Sequence, residues 1–310
     1  MQNRSEMSIN TTFPKSFSVI IKVCVVIPLL CAFLCFIAVM LQIFASHRQF
    51  LDTSRYILFA HLLINDTMHF ISSVLFFLFV IGQVKLPLLF CVPVFFVSTS
   101  TFLNTTLILA AMSLERYVAI FYPLQRPASW RSDRIWIITL PLWIISFAFP
   151  IIQFSMGDHS SSVDVLSTNI LCKPVVINPT PIQGLFRLAM NVLFFAVVSV
   201  IILFTYVRIM METRKMRQDR ASVNKAMHTV LLHGFQLLLC LLAFTQPIAE
   251  TLIGLHTNWL AEDVAFFNFF CFILVPHFLS LLIYGVRDQS LRKHIENRFL
   301  CCSKKKIVFK

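Results

Sequence analysis

The chain has 310 residues, 58% of them hydrophobic and 13% charged, with 26 Lys+Arg against 14 Asp+Glu and a formal charge of +12. A soluble domain has about a quarter of its residues charged and just under half apolar, and disorder needs low hydrophobicity, so neither class fits. A basic nucleic-acid binder would carry its surplus on a polar background that is absent here. A membrane protein remains, with its charge confined to the watery ends.

A bilayer-crossing helix needs about 20 apolar residues. After a polar tail at 1–22, seven stretches qualify: Val23–Phe44, Tyr56–Ile81, Leu88–Ile120, Ile135–Phe154, Leu185–Met211, His228–Leu255 and Val264–Tyr284. They are long and continuously apolar rather than alternating in ten-residue units, which favours helices over a barrel. The first is too long for a signal peptide. The expected fold is an all-α membrane domain at 23–284, followed at 285–310 by a basic inner tail.

Basic residues set the orientation. With the N-terminus outside, 20 Lys/Arg fall on or at the inner side and 6 on the outer side, the bias of the positive-inside rule. Asn3-Arg4-Ser5 and Asn10-Thr11-Thr12 then read as N-glycosylation sequons in the outer tail. Of nine Cys, Cys24, Cys31, Cys35, Cys240 and Cys271 lie in apolar runs, and Cys301 and Cys302 in the inner tail. Cys91 and Cys172 alone reach the outer side. Their simplest pairing is a disulfide tying the outer loop at about 155–184 to the third span, the alternative being two unpaired thiols.

Ionisable groups inside a bilayer default to functional hypotheses. Asp66 lies mid-span beside Asn65, with His61 and His69 near. It reads either as a cation or water site between helices or as a protonated structural carboxyl bonded to a neighbouring helix. Glu115-Arg116-Tyr117 closes the third span at its inner edge. It is either an interface anchor or the place where a fixed cation meets a cytoplasmic partner, a role that suits the Arg fork.

Seven spans, an outer Cys at 91, Glu-Arg-Tyr 24 to 26 residues later and Trp143 in the fourth span resemble a class A (rhodopsin-like) G-protein-coupled receptor. The run Met112-Ser113-Leu114-Glu115-Arg116-Tyr117-Val118-Ala119-Ile120 with Pro123-Leu124 narrows the resemblance to vertebrate odorant receptors of the fish type. Lys225-Ala226-Met227-His228-Thr229, His233, Tyr206 and Leu282-Ile283-Tyr284-Gly285-Val286-Arg287-Asp288 support it. The sequence departs from the family in span one, where Ala38-Val39-Met40-Leu41 replaces an Asn region. It departs again at Ser280-Leu281, where the family has Asn/Asp-Pro; Pro276 is the proline that remains to kink that span.

The resemblance implies a small-molecule odorant bound among the outer halves of spans three, five, six and seven. Ser98, Phe102 and Thr105 share a helical face; Arg187 and Asn191 form an i, i+4 pair; Glu250 and Thr251 sit near Pro247; Phe267, Phe270, Cys271 and Leu274 follow helical spacing. For each Phe the competing role is packing or lipid contact, and for each Ser or Thr a helix–helix hydrogen bond. Glu250 and Arg187 either pair, meet a polar ligand, or point to the interface. No acid lies between Cys91 and Glu115, which disfavours a cationic amine held by span three.

At the inner face the resemblance gives Glu115, Arg116, Tyr117, Tyr206 and Tyr284 to coupling with a heterotrimeric G protein of the stimulatory, cyclic AMP type. Residues 288–299 are amphipathic and read as an interfacial helix on membrane lipid. Cys301 and Cys302 follow it as palmitoylation candidates, with unmodified thiols as the alternative. No repeat symmetry suggests a transporter, and no clustered His and acids suggest an enzyme. No cofactor, metal or nucleic acid is expected. The localisation implied is the plasma membrane, with the N-terminus extracellular and olfactory cilia the expected site. Another class A chemosensory or peptide receptor is the alternative.

Overall fold

The computed structural model describes residues 3–47, 50, 52–122, 125, 127–157, 169–172, 177, 180–215, 235, 238–239 and 266–279, with side chains in the first helix from Val19 and in the fifth up to Glu212. The helices are α1 (Asn3–Ser46), α2 (Ser54–Ile81), α3 (Leu88–Phe121), α4 (Trp136–Ser155) and α5 (Pro181–Lys215). Within them five segments are long and apolar enough to cross a membrane: Val19–Ser46, Ser54–Ile81, Leu88–Phe121, Ser132–Ser155 and Pro181–Glu212. A further apolar helix, Phe266–Leu279, lies inside the seventh expected span. Of the sixth span, residues 235 and 238–239 are described; the inner tail, Glu250, Thr251, Tyr284, Cys301 and Cys302 lie outside the described residues. In the first helix the backbone is helical from Asn3, so the residues expected as a tail, Asn10 included, continue α1 upstream of its apolar part.

Local chemistry fixes several ends. Gly82 closes α2, its N–H bonded 2.9 Å to the Leu78 carbonyl. A Cβ there would sit 3.1 Å from that same oxygen and 3.2 Å from Val84, tight enough that its neighbours would have to shift. Gln83 follows with φ 49°, the left-handed turn that sends the chain back. At the start of α5, Thr180-Pro181-Ile182-Gln183 forms a capping box. The Gln183 N–H donates to Thr180 Oγ1 at 3.3 Å and the Thr180 N–H donates to Gln183 Oε1 at 3.2 Å. Pro181 fills the first helical position, where no N–H is needed.

Two short strands, β1 (Lys85–Pro87) and β2 (Asn169–Leu171), pair antiparallel with Lys85 opposite Leu171 and Pro87 opposite Asn169. Cys91 and Cys172 are disulfide-bonded just beyond this ribbon, with Cα atoms 5.7 Å apart. The outer loop is therefore fastened to the head of α3 twice, by a backbone ladder and by a covalent bond. Both sulfurs are buried with Phe95 and Ile177.

The main core runs through α1, α2, α3 and the 266–279 helix. Phe33 of α1 stacks on Phe70 of α2 at 4.1 Å between centroids. Phe77 of α2 stacks on Phe269 at 4.9 Å, and Lys22 of α1 lies 5.7 Å over Phe266. The 266–279 helix contains a π turn, Phe270–Leu274, just before Pro276. Proline lacks the N–H that would bond the carbonyl four residues back, and a wider turn is one way for the chain to absorb that loss.

Candidate functional site

The polar residues of α2 and α3 converge on one buried belt. Asn65 uses both amide hydrogens, donating to the Thr101 carbonyl at 2.9 Å and to Thr105 Oγ1 at 2.7 Å. It accepts from Asn104 Nδ2 at 2.9 Å. Thr105 in turn donates to Asp66 Oδ1 at 2.8 Å. Ser146 of α4 reaches Asn104 Oδ1 at 3.4 Å. On the far side, His277 Nε2 stands 3.9 Å from Asp66 Oδ1, and its ring lies 5.0 Å from that of His69. His69 Nδ1 meets the Ser98 carbonyl at 3.2 Å. The belt thus links α4, α3, α2 and the 266–279 helix in one chain of contacts.

Asp66, Asn65 and Asn104 are all at most 1% exposed. Burial of such groups in a bilayer demands partners, and the (i, i+1, i+4) placement of Asn65, Asp66 and His69 turns all three inward. His277 Nδ1 is bonded to the Ile273 carbonyl at 2.8 Å, which leaves Nε2 to face the carboxylate. The side chains around Asp66 are amide, hydroxyl and imidazole.

Two residues expected at the ligand site have these surroundings in the structure. Thr105 was placed on a ligand face with Ser98 and Phe102, but its hydroxyl is committed to Asn65, Asp66 and the Thr101 carbonyl. Phe267 was placed on the same face as Phe270, Cys271 and Leu274. Its ring is 63% exposed while Leu274 is 1% exposed. The π turn between them winds more residues per turn than an α-helix, so the i, i+7 pair no longer shares a direction. Phe270 and Cys271 remain half-buried.

At the outer end, Phe102 lies with Leu103, Phe149, Phe186, Met190 and Phe194, a cluster shared by α3, α4 and α5. Phe149 stacks on Phe186 at 5.6 Å. Phe102 also packs 5.7 Å from His69, so the aromatic cluster and the polar belt are continuous. Arg187 and Asn191 are half-buried on successive turns of α5.

At the inner end, Glu115 is 4% exposed and accepts a hydrogen bond from Ser54 Oγ at 3.1 Å. That contact pins the inner end of α3 to the first turn of α2, where the helix dipole favours a carboxylate. Arg116 is half-buried on the next position. Tyr117 stands 5.8 Å from Phe204 of α5, and Arg208 lies 5.4 Å over Phe121. The inner ends of α3 and α5 are joined through these rings. Tyr206 is half-buried on the same stretch of α5.

Several buried polar residues escaped the sequence reading, Ser54, Ser146, Gln183, His277 and Gln153 among them. Gln153 of α4 is 0% exposed. The signal was available: Thr139, Ser146 and Gln153 recur every seven residues in an otherwise apolar helix, which puts them on one face, and all three are buried.

Five membrane-length apolar helices, a disulfide between the head of the third helix and the loop after the fourth, and Glu-Arg-Tyr at the other end of the third helix are features of a rhodopsin-like receptor. Residues 37–253 match the family model of the 7 transmembrane receptor (rhodopsin family), and the chain belongs to that family. It is similar to odorant receptor 131-2 of Danio rerio, 31% identical over 205 residues that cover 64% of this chain and 63% of the relative. It is also similar to olfactory receptor 51I1 of Homo sapiens, 27% identical over 66% of this chain and 65% of that protein, and to human olfactory receptor 51G1, at 24% over 66% and 64%. The chain spans just under two thirds of the length of each.

Proposed function

We propose that the chain is an odorant receptor of the plasma membrane that binds small odorants in the outer half of a seven-helix bundle and activates a stimulatory G protein. The observation that carries this is that all three relatives bear odorant or olfactory receptor names. In this reading Ser98, Phe102, Arg187, Asn191, Glu250, Thr251, Phe270 and Cys271 contribute to the odorant site. Asp66 at the centre of the belt marks a buried ion or water site, and its bond to Thr105 also holds α2 to α3. Asn3 and Asn10 are glycosylated on the extracellular side, residues 288–299 form an interfacial helix, and Cys301 and Cys302 carry its lipid anchor. The cilia of olfactory neurons are the working location.

The mechanism is a two-state bundle. Odorant shifts the balance only by its differential affinity for the two states. In one state the inner end is closed by contacts of the kind seen between Ser54 and Glu115 and between Tyr117 and Phe204. In the other the inner cleft opens, with Arg116, Tyr206 and Tyr284 in its wall, and accepts the G protein. The test is a panel of odorants, peptides and steroids applied to cells expressing the chain, with cyclic AMP as readout. A dose-dependent rise with volatile odorants is expected. Responses confined to peptides or steroids would assign the chain to another branch of the family.

A further inference from the structure

We infer that Gln153 is the polar anchor of the outer ligand site and that it selects neutral molecules whose head group both donates and accepts a hydrogen bond, an alcohol or a primary carboxamide, on an apolar body. This rests on the reading above, that the outer half of the bundle takes small molecules.

Gln153 is fully enclosed, yet among the described residues neither Oε1 nor Nε2 of its side chain has a hydrogen-bond partner. An amide in that state is costly compared with an apolar side chain of the same shape. The contrast with Gln183 is direct. Gln183 is also buried, but its oxygen accepts from Thr180 and its nitrogen donates to the Gln153 backbone carbonyl at 3.0 Å. The amide of Gln183 is spent on joining α5 to α4, and that of Gln153 is not spent on the fold.

Its place in the bundle says what it could meet. Two rungs connect α4 and α5. The outer one is Gln153 with Gln183, and the inner one, a turn deeper, is Phe149 stacked on Phe186. Phe194 meets Phe149 edge-on at 6.4 Å, and Leu103 of α3 belongs to the same cluster. On α4 Gln153 stands one turn outward of Phe149, so a polar head held by its amide would set an apolar body beside these aromatic faces. A primary amide presents a carbonyl and two N–H groups together. A group with both a donor and an acceptor satisfies it, whereas a carboxylate has no hydrogen to donate and would leave Oε1 unpaired. The helix itself carries no Asp, Glu, Lys or Arg. A carboxylate would look instead to Arg187 of α5.

The test uses the full chain purified in detergent and measures thermal stabilisation by 1-octanol, octanamide, octane and octanoate, since a ligand that binds the folded state raises its melting temperature. The wild type is expected to prefer octanol and octanamide. Gln153→Met, similar in length and apolar, is expected to melt higher without ligand and to weaken both by at least about tenfold while leaving octane unchanged. The inference is overturned if Gln153→Met keeps the wild-type preference, if it melts lower without ligand, if none of the probes binds the wild type, or if octanoate is preferred and lost only in Arg187→Met. A cyclic AMP assay on the same variants separates the two readings. Binding that depends on Gln153 without any cyclic AMP response defeats the receptor reading alone. A response indifferent to Gln153→Met defeats the anchor alone.

Discussion

Replacing Asn65 by Ala removes the centre of the buried belt. Three hydrogen bonds go at once, to the Thr101 carbonyl, to Thr105 Oγ1 and from Asn104. Side-chain hydrogen bonds between membrane helices average about 0.6 kcal/mol each, which gives roughly 2 kcal/mol for the three. Asn104 Nδ2 also loses its partner at 0% exposure, adding on the order of 1 kcal/mol for a buried unpaired donor. The total, about 3 kcal/mol, is a change of about a hundredfold in the folded-to-unfolded ratio. The measurement is the unfolding free energy in mixed micelles, titrated with sodium dodecyl sulfate and followed by circular dichroism. Thr67→Ala is the control, because among the described residues Thr67 Oγ1 bonds only the Leu63 carbonyl of its own helix; it is expected to cost less than about 0.5 kcal/mol. An Asn65→Ala receptor no less stable than Thr67→Ala would refute the account of the belt as the tie between α2 and α3.

The disulfide closes 81 residues of separation, so its loss is expected to destabilise by about 4 kcal/mol on the chain-entropy estimate. Cys91→Ala, Cys172→Ala and the double variant should lose surface expression equally, as flow cytometry on tagged receptor will show; additive losses would mean that the two thiols act separately. Glu250→Gln is expected to shift the odorant dose–response in the cyclic AMP assay, and a wild-type response to every active ligand would remove Glu250 from the site. Ser54→Ala takes the buried donor from Glu115 and should lower unfolding free energy by roughly 1.5–3 kcal/mol, the range for hydrogen bonds to charged groups. An unchanged titration curve would show that the inner end of α3 is held elsewhere.

Much of this architecture is legible in the sequence because the bilayer leaves few options. Apolar length alone located the first five spans, with ends displaced only by features that hydropathy does not see, such as the capping box at Thr180–Gln183. The outer position of Cys91 and Cys172 pointed to their disulfide. The inward turn of Asp66 followed from its cost in lipid. Other features depend on geometry that composition does not encode. The strands β1 and β2 have three residues each, too few to show an alternating pattern. The π turn before Pro276 breaks the helical period on which the face of Phe267 was reckoned. Thr105 shows the limit of spacing arguments most plainly: periodicity gives a direction, and the neighbour across the interface decides what the hydroxyl does.

The central claim, that odorant binding outside is converted into G-protein activation at the inner end of α3, is tested most directly at Arg116. Cells expressing the wild type and Arg116→Ala at matched surface levels, exposed to the same odorant panel, should differ completely. The wild type should raise cyclic AMP in a dose-dependent way and the variant should give none. An undiminished odorant response in Arg116→Ala would contradict the account.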